Sequence, residues 1–106
     1  DLHSFPTRRS SDLMIMLIRS MSPRVLAVDE IGAQEEIRAV EYAMQCGCKL
    51  IASVHGNSMA EIASKPGLGE LVRQRRFERY VVLENREHPG EIKEIFDERG
   101  SLLCRN

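Results

Sequence analysis

Two apolar segments of the sequence each run into side chains that could bind a metal ion or activate a water molecule. Residues 24–28 lead into Asp29 and Glu30, and residues 49–54 lead into His55. Short apolar runs without alternation are typical of strands that are buried on both faces of a parallel sheet. Because open α/β sheets bind ligands at the carboxyl ends of their strands, we expect these three side chains to lie together at one sheet edge.

The acidic pair and the histidine have the chemistry of a phosphate-hydrolysing site. Mg²⁺ prefers oxygen ligands, and in P-loop nucleotidases a strand-end carboxylate such as Asp29 holds the ion, directly or through water. An adjacent carboxylate such as Glu30 can orient and deprotonate the attacking water. The imidazole of His55 can donate a hydrogen bond to a phosphate or to that water. A second interpretation stays open, in which the acids lie in a solvated turn and the histidine is structural.

The elements that would position these side chains alternate along the chain. Gly47 follows a helical apolar period and is expected to end that helix. We expect four helices: residues 14–21, Gln34–Gln45, a short segment that opens at Ser58 and breaks at Pro66, and residues 68–76. We expect strands over residues 24–28, 49–54 and 79–84. Residues 91–97 and 101–104 are expected to form a β-hairpin. This order predicts an α/β fold: a parallel sheet with flanking helices and a C-terminal β-hairpin.

Composition narrows the class of protein. The chain has 106 residues, 15 of them basic and 16 acidic, and this balance gives no electrostatic reason to expect a nucleic-acid partner. No apolar run approaches the roughly 20 residues of a membrane span. Three cysteines, two of them close together at Cys46 and Cys48, favour a reduced, cytoplasmic setting and core packing over a zinc site. Met14, Met16 and Met21 are expected to fill the core.

Five arginines have two open interpretations each. Arg19 could brace the acidic pair through a carboxylate or form a structural salt bridge. The cluster of Arg73, Arg75, Arg76 and Arg79 could place an arginine across a subunit interface against a transferred phosphate, or could simply lie in solvent.

Residues 1–13, DLHSFPTRRSSDL, can be spelled in codons as a common sequencing-adapter oligonucleotide read in one frame. We therefore expect this segment to be an adapter-derived artefact and residues 14–106 to be the native part. The real protein would then begin further upstream.

Three longer segments carry a family resemblance: LIRSMSPRVLAVDEIG, GCKLIASVHGNSMAEIASKPGLGEL and FERYVVLENREHPGEIKEIFDERG. In this order and spacing they resemble the C-terminal half of the stage III sporulation protein AA family, ATPases related to the type II and type IV secretion motors. The resemblance implies a partial P-loop NTPase of the RecA-like type. It makes residues 25–30 the Walker B strand, Asp29 the Mg²⁺ ligand, and Glu30 the catalytic carboxylate. His55 resembles the histidine of the secretion-ATPase histidine box.

The resemblance also implies cofactors and partners. These are ATP bound with Mg²⁺ at Asp29 and Glu30, a homo-oligomeric ring, and membrane channel proteins of the sporulation apparatus, at the cytoplasmic face of the mother-cell membrane. Ala33 departs from the family, which often has a basic residue there. The glycine-rich Walker A loop is expected upstream, so we expect this segment alone not to bind ATP appreciably.

The main alternative is a non-catalytic α/β interaction module, for example receiver-like, whose acidic pair binds Mg²⁺ without hydrolysis. A receiver needs a further Asp at the end of a later strand and a Lys at the end of the last one. His55 occupies the first of these positions, and residues 79–84 supply no Lys. The sequence therefore favours the hydrolytic interpretation.

Overall fold

The computed structural model of the protein describes residues 10–106, and the chain divides into two compact units. The first unit ends at His55 and the second is Gly56–Asn106. Residues 1–13 are predicted to be adapter-derived, and residues 1–9 of this segment lie outside the described part of the chain. None of the helices in the described part of the chain is long and apolar enough to cross a membrane.

The first unit is a β-α-β arrangement preceded by a helix. Its elements are α1 (Ser10–Met21), β1 (Val25–Val28), α2 (Gln34–Gln45) and β2 (Lys49–Ala52). The two strands pair in parallel, with Val25 opposite Lys49 and Val28 opposite Ala52. Parallel neighbours need a crossover connection, which α2 supplies. The predicted parallel strand pair and the predicted bounds of α2 are both confirmed.

The backbone at both ends of α2 explains why the helix has these bounds. A carboxylate oxygen of Glu36 accepts hydrogen bonds from the backbone N–H groups of Ala33 (3.0 Å) and Gly32 (3.3 Å), which precede the first turn. At the other end Gly47 has φ 83°, and its N–H donates to the carbonyl of Met44. A glycine in the left-handed region satisfies the last carbonyls of a helix without the strain that a side chain would add.

The core of the first unit lies on one face of the strand pair. Ile18, Ala43 and Cys48 are buried together, and Leu26 and Tyr42 pack against them.

The prediction that the strands are buried on both faces is wrong. Val25 is 54% exposed and Ile51 is 67% exposed, on the opposite face from Leu26. Within residues 10–55, apolar side chains of the helices cover one face of this two-stranded sheet. The predicted core role of the methionines holds for Met14, whereas Met16 and Met21 are 47% and 70% exposed.

The second unit has two short helices followed by an antiparallel sheet. Its elements are α3 (Met59–Ser64), α4 (Leu68–Arg73), β3 (Arg79–Leu83), β4 (Ile92–Asp97) and β5 (Leu102–Arg105), with the strand order β3-β4-β5. The predicted hairpin is confirmed as β4 and β5. The strand β3 also pairs with β4 rather than extending the parallel sheet. The chain is therefore mixed α/β, with a small parallel sheet and a separate antiparallel one.

Close backbone packing joins α3 to α4. The hydroxyl of Ser58 accepts the N–H of Glu61 and so caps α3. A side chain at Gly69 would overlap the carbonyl oxygen of Ala63. Only glycine allows the two short helices to approach this closely.

At the end of α4 an arginine has the left-handed backbone conformation that glycine usually adopts there. Arg75 has φ 57°, its N–H donates to the carbonyl of Val72, and the next N–H, of Arg76, donates to the carbonyl of Leu71. This is the Schellman pattern of a helix C-terminus, where glycine usually occupies the left-handed position. The predicted helix over residues 68–76 is therefore shorter, because its last residues form this cap.

The turn between β4 and β5 is organised by one carboxylate. One oxygen of Asp97 accepts hydrogen bonds from the backbone N–H groups of Ser101 and Arg99, each at 2.9 Å. These bonds, the Ser101 N–H foremost, hold the pKa of Asp97 below its usual value because they favour the ionised form.

The three cysteines differ in accessibility. Cys46 and Cys104 are exposed thiols, and Cys48 is buried beside α2.

Candidate functional site

The carboxyl ends of β1 and β2 bring the predicted side chains of the first unit together. Because the strands are parallel and in register, the residues that follow them lie at the same edge of the sheet. His55 Nε2 lies 3.1 Å from Glu30 Oε1. Asp29 joins this pair through Ser53, which is not among the predicted site residues.

Ser53 links both acidic residues. Its hydroxyl donates to Asp29 Oδ1 at 2.5 Å and accepts the backbone N–H of Glu30 at 2.8 Å. The sequence contained one signal for this role: Ser53 is a polar residue inside an otherwise apolar run, two positions before His55. The predicted strand over residues 49–54 includes Ser53, whereas β2 ends at Ala52.

The backbone around Ser53 continues the pairing of the two strands beyond their ends. The N–H of Ser53 donates to the carbonyl of Val28 at 3.0 Å, and the N–H of Ile31 donates to the carbonyl of Ser53 at 3.0 Å. Between these two bonds the chain must turn at Glu30, which has φ 52°. A left-handed conformation is strained for a residue with a side chain and often marks a functional position.

The site is open to solvent. The side chain of His55 is 86% exposed and that of Glu30 is 64% exposed. An ion pair in such surroundings adds little to the stability of the fold. Because both side chains are mostly exposed, they stay accessible to a bound molecule.

The acidic residues fit a cation that takes most of its ligands from water and substrate rather than from protein side chains. Among residues 10–106 no group of three or more His, Cys, Asp and Glu side chains could hold a metal ion by itself. Mg²⁺ typically binds one or two carboxylates and completes its shell with water and substrate phosphates. Asp29 and Glu30 supply such carboxylates, and Ser53 engages one oxygen of Asp29, leaving Oδ2 without a donor among the described residues.

Three of the five arginines considered above, Arg19, Arg73 and Arg79, contact other residues. Arg19 donates to the hydroxyl of Tyr42 at 3.4 Å and lies 5.7 Å from the centre of its ring, so it braces α1 against α2 rather than a carboxylate of the site. In the second unit Arg73 pairs with Glu70 at 2.8 Å and thereby lowers the pKa of that carboxyl. Arg79 lies 3.6 Å from Glu98.

Comparison with known proteins gives the family. The profile of the family described as "Sporulation stage III, protein AA" matches residues 7–103. The "Stage III sporulation protein AA" of Bacillus subtilis (strain 168) is 40% identical over 92 residues, which are 87% of this chain and 30% of that protein.

Proteins of other organisms also match. The "Uncharacterized protein ycf45" of Cyanidium caldarium is 34% identical over 61 residues, 58% of this chain and 18% of its own length. The "Protein SEEDLING PLASTID DEVELOPMENT 1" of Arabidopsis thaliana is 33% identical over 61 residues, 58% of this chain and 9% of its own length.

The chain spans less than a third of the length of the curated relatives it matches. No solved structure matches it at a significant level. The family profile covers residues 7–55 of the first unit, with its acidic pair and histidine, and nearly all of the second unit. The chain thus belongs to the sporulation stage III protein AA family.

Proposed function

We propose that this chain carries the Mg²⁺-binding and water-activating half of an ATP-hydrolysing site in a longer sporulation protein. The observation that carries the proposal is the connected set of side chains at the ends of β1 and β2: Glu30 with His55, and Asp29 with Ser53. Two adjacent carboxylates and an imidazole, exposed at the carboxyl ends of parallel strands, suit phosphoryl chemistry.

Each residue has a distinct role in the proposed reaction. Asp29 would hold Mg²⁺, which when bound would neutralise charge on the phosphates. Glu30 would orient a water molecule for in-line attack on the terminal phosphate and accept its proton. His55, in contact with Glu30, would donate a hydrogen bond to the terminal phosphate or to the water. The sequence resemblance to a Walker B strand and a histidine box supports these roles.

The longer protein would supply what these residues lack. Most triphosphate binding in this class comes from the backbone N–H groups and the lysine of a Walker A loop, which we place upstream. We further propose a homo-oligomeric ring that works with membrane channel proteins of the sporulation apparatus. It would act at the cytoplasmic face of the mother-cell membrane, without a nucleic-acid partner. Family membership supports the sporulation role.

The test is Glu30→Gln in the full-length protein. We expect the variant to bind ATP as tightly as the wild type and to lose turnover, because glutamine keeps the size of the side chain but cannot accept the proton. Glu87→Gln makes the same chemical change at an exposed position of the second unit and should leave turnover intact. Unchanged hydrolysis in Glu30→Gln would remove the catalytic assignment.

Metal binding can be tested on this chain alone. Mn²⁺, a paramagnetic substitute for Mg²⁺, should broaden the NMR signals of Asp29 and its neighbours at millimolar concentration, and Asp29→Asn should abolish the effect. Broadening at Asp29 together with no hydrolysis by the full-length protein would favour the alternative, a non-catalytic module whose acidic pair binds Mg²⁺.

A further inference from the structure

The hydroxyl of Ser53 makes two hydrogen bonds of opposite direction to consecutive residues. Its proton is directed to Asp29 Oδ1, and its oxygen receives the N–H of Glu30. A serine hydroxyl has one proton and two lone pairs, so giving the proton to Asp29 leaves the oxygen available to accept. A single side chain just beyond the end of β2 therefore fixes a carboxylate and a backbone amide at the end of β1.

The bond to the amide acts on the strained residue. The N–H groups of Ser53 and Ile31 are both held by main-chain carbonyls, in a ladder that does not need the serine hydroxyl. The N–H of Glu30 lies between them in the left-handed turn and is held by that hydroxyl alone among the described residues. This hydrogen bond from the Glu30 N–H to the hydroxyl thus stabilises the positive φ of Glu30.

The bond to the carboxylate acts on the metal-binding residue. With Oδ1 of Asp29 engaged by Ser53, rotation of the carboxylate is restricted, and Oδ2 is left to a ligand. We propose that Ser53 is a positioning residue, which couples the orientation of the Asp29 carboxylate to the backbone conformation that presents Glu30. This role rests on the proposed function, because positioning matters only if the acidic pair acts on a bound nucleotide.

Hydrogen exchange of single amides tests the geometry in this chain without any nucleotide. In Ser53→Ala the Glu30 amide should exchange about tenfold faster, the size expected for loss of one hydrogen bond. The amides of Ile31 and Ser53 itself should exchange as in the wild type, since their carbonyl partners are unchanged. Ser53→Thr keeps a hydroxyl and should restore the slow exchange of Glu30.

Steady-state kinetics of the full-length protein tests the consequence. Ser53→Ala should lower kcat about 100-fold, the loss typical of a catalytic group displaced by about 1 Å, and should leave KM for ATP within about twofold. Ser53→Thr should recover most of kcat. A purely structural role for the serine would instead lower both the protein yield and the protection of all three amides.

The outcomes separate the two proposals. Unchanged exchange of Glu30 in Ser53→Ala, or equal acceleration at Ile31 and Glu30, would overturn the positioning role. Faster exchange at Glu30 alone with unchanged kcat would also overturn it. Selective exchange at Glu30 with a full-length wild type that does not hydrolyse ATP would sustain the hydroxyl bridge but would overturn the proposed function.

Discussion

Replacing Glu30 with glycine should stabilise the first unit while removing the proposed catalytic carboxylate. A non-glycine residue in the left-handed region costs about 1–2 kcal/mol, and Glu30 is held there at φ 52°. Glycine relieves this strain but loses about 0.5–1 kcal/mol through the greater freedom of the unfolded chain. The exposed contact with His55 contributes little. The Glu30→Gly variant should therefore exceed Glu30→Ala in free energy of unfolding by about 1 kcal/mol.

The comparison with alanine is essential, because both variants lose the carboxylate and only one keeps the strain. Urea unfolding followed by the NMR signal of Val40, which is completely buried in α2, reports on the first unit. Gly47→Ala is the reverse control: it introduces a side chain at φ 83° and should lower stability by about 1 kcal/mol. If Glu30→Ala proved as stable as Glu30→Gly, the backbone strain at Glu30 would be no larger than the entropic cost of glycine, about 0.5–1 kcal/mol, and the reasoning would be refuted.

Three further predictions concern the second unit. Arg75→Gly should raise its free energy of unfolding by about 1 kcal/mol in urea titrations, because glycine suits the left-handed end of α4, whereas a decrease would contradict the Schellman assignment. Gly69→Ala should lower stability by about 2 kcal/mol through overlap with the Ala63 carbonyl, and Gly32→Ala, with nothing within 4 Å of the new methyl group, should change the first unit little. The pKa of Asp97 is lowered in the folded unit, so the ionised carboxylate stabilises the fold. This contribution to the free energy of unfolding is complete above the usual carboxyl pKa and is lost as pH falls through the lowered value. Asp97→Asn should thus destabilise the unit at neutral pH and flatten its loss of stability below about pH 4, and an acid profile identical to the wild type would disprove this.

The sequence predicted those parts of the fold that depend on local patterns. The helical period and Gly47 were sufficient for the bounds of α2. The partner of β3 could not be read in the same way, because strand pairing is set by contacts between distant residues. The exposure of Val25 and Ile51 was missed for a related reason: an apolar run shows that a side chain is hydrophobic, not that another element covers it.

The sequence also located most of the candidate site. Asp29, Glu30 and His55 were selected because they follow apolar strands, and the structure places Glu30 and His55 in contact. Ser53 is not predicted because the spacing of this serine matches no metal or catalytic motif. Its importance appears only once the parallel register sets it beside Asp29. The roles of these residues in ATP hydrolysis stay predictions.

The distribution of thiols gives this chain a built-in means of measuring distances. One exposed cysteine, Cys46, lies in the first unit, and the other, Cys104, lies in the second, while Cys48 is shielded in the core. Maleimide dyes or nitroxide spin labels should therefore attach at one point on each unit without any engineered cysteine. Fluorescence energy transfer or pulsed electron resonance between the two labels would then measure the distance between Cys46 and Cys104, with and without an added metal ion.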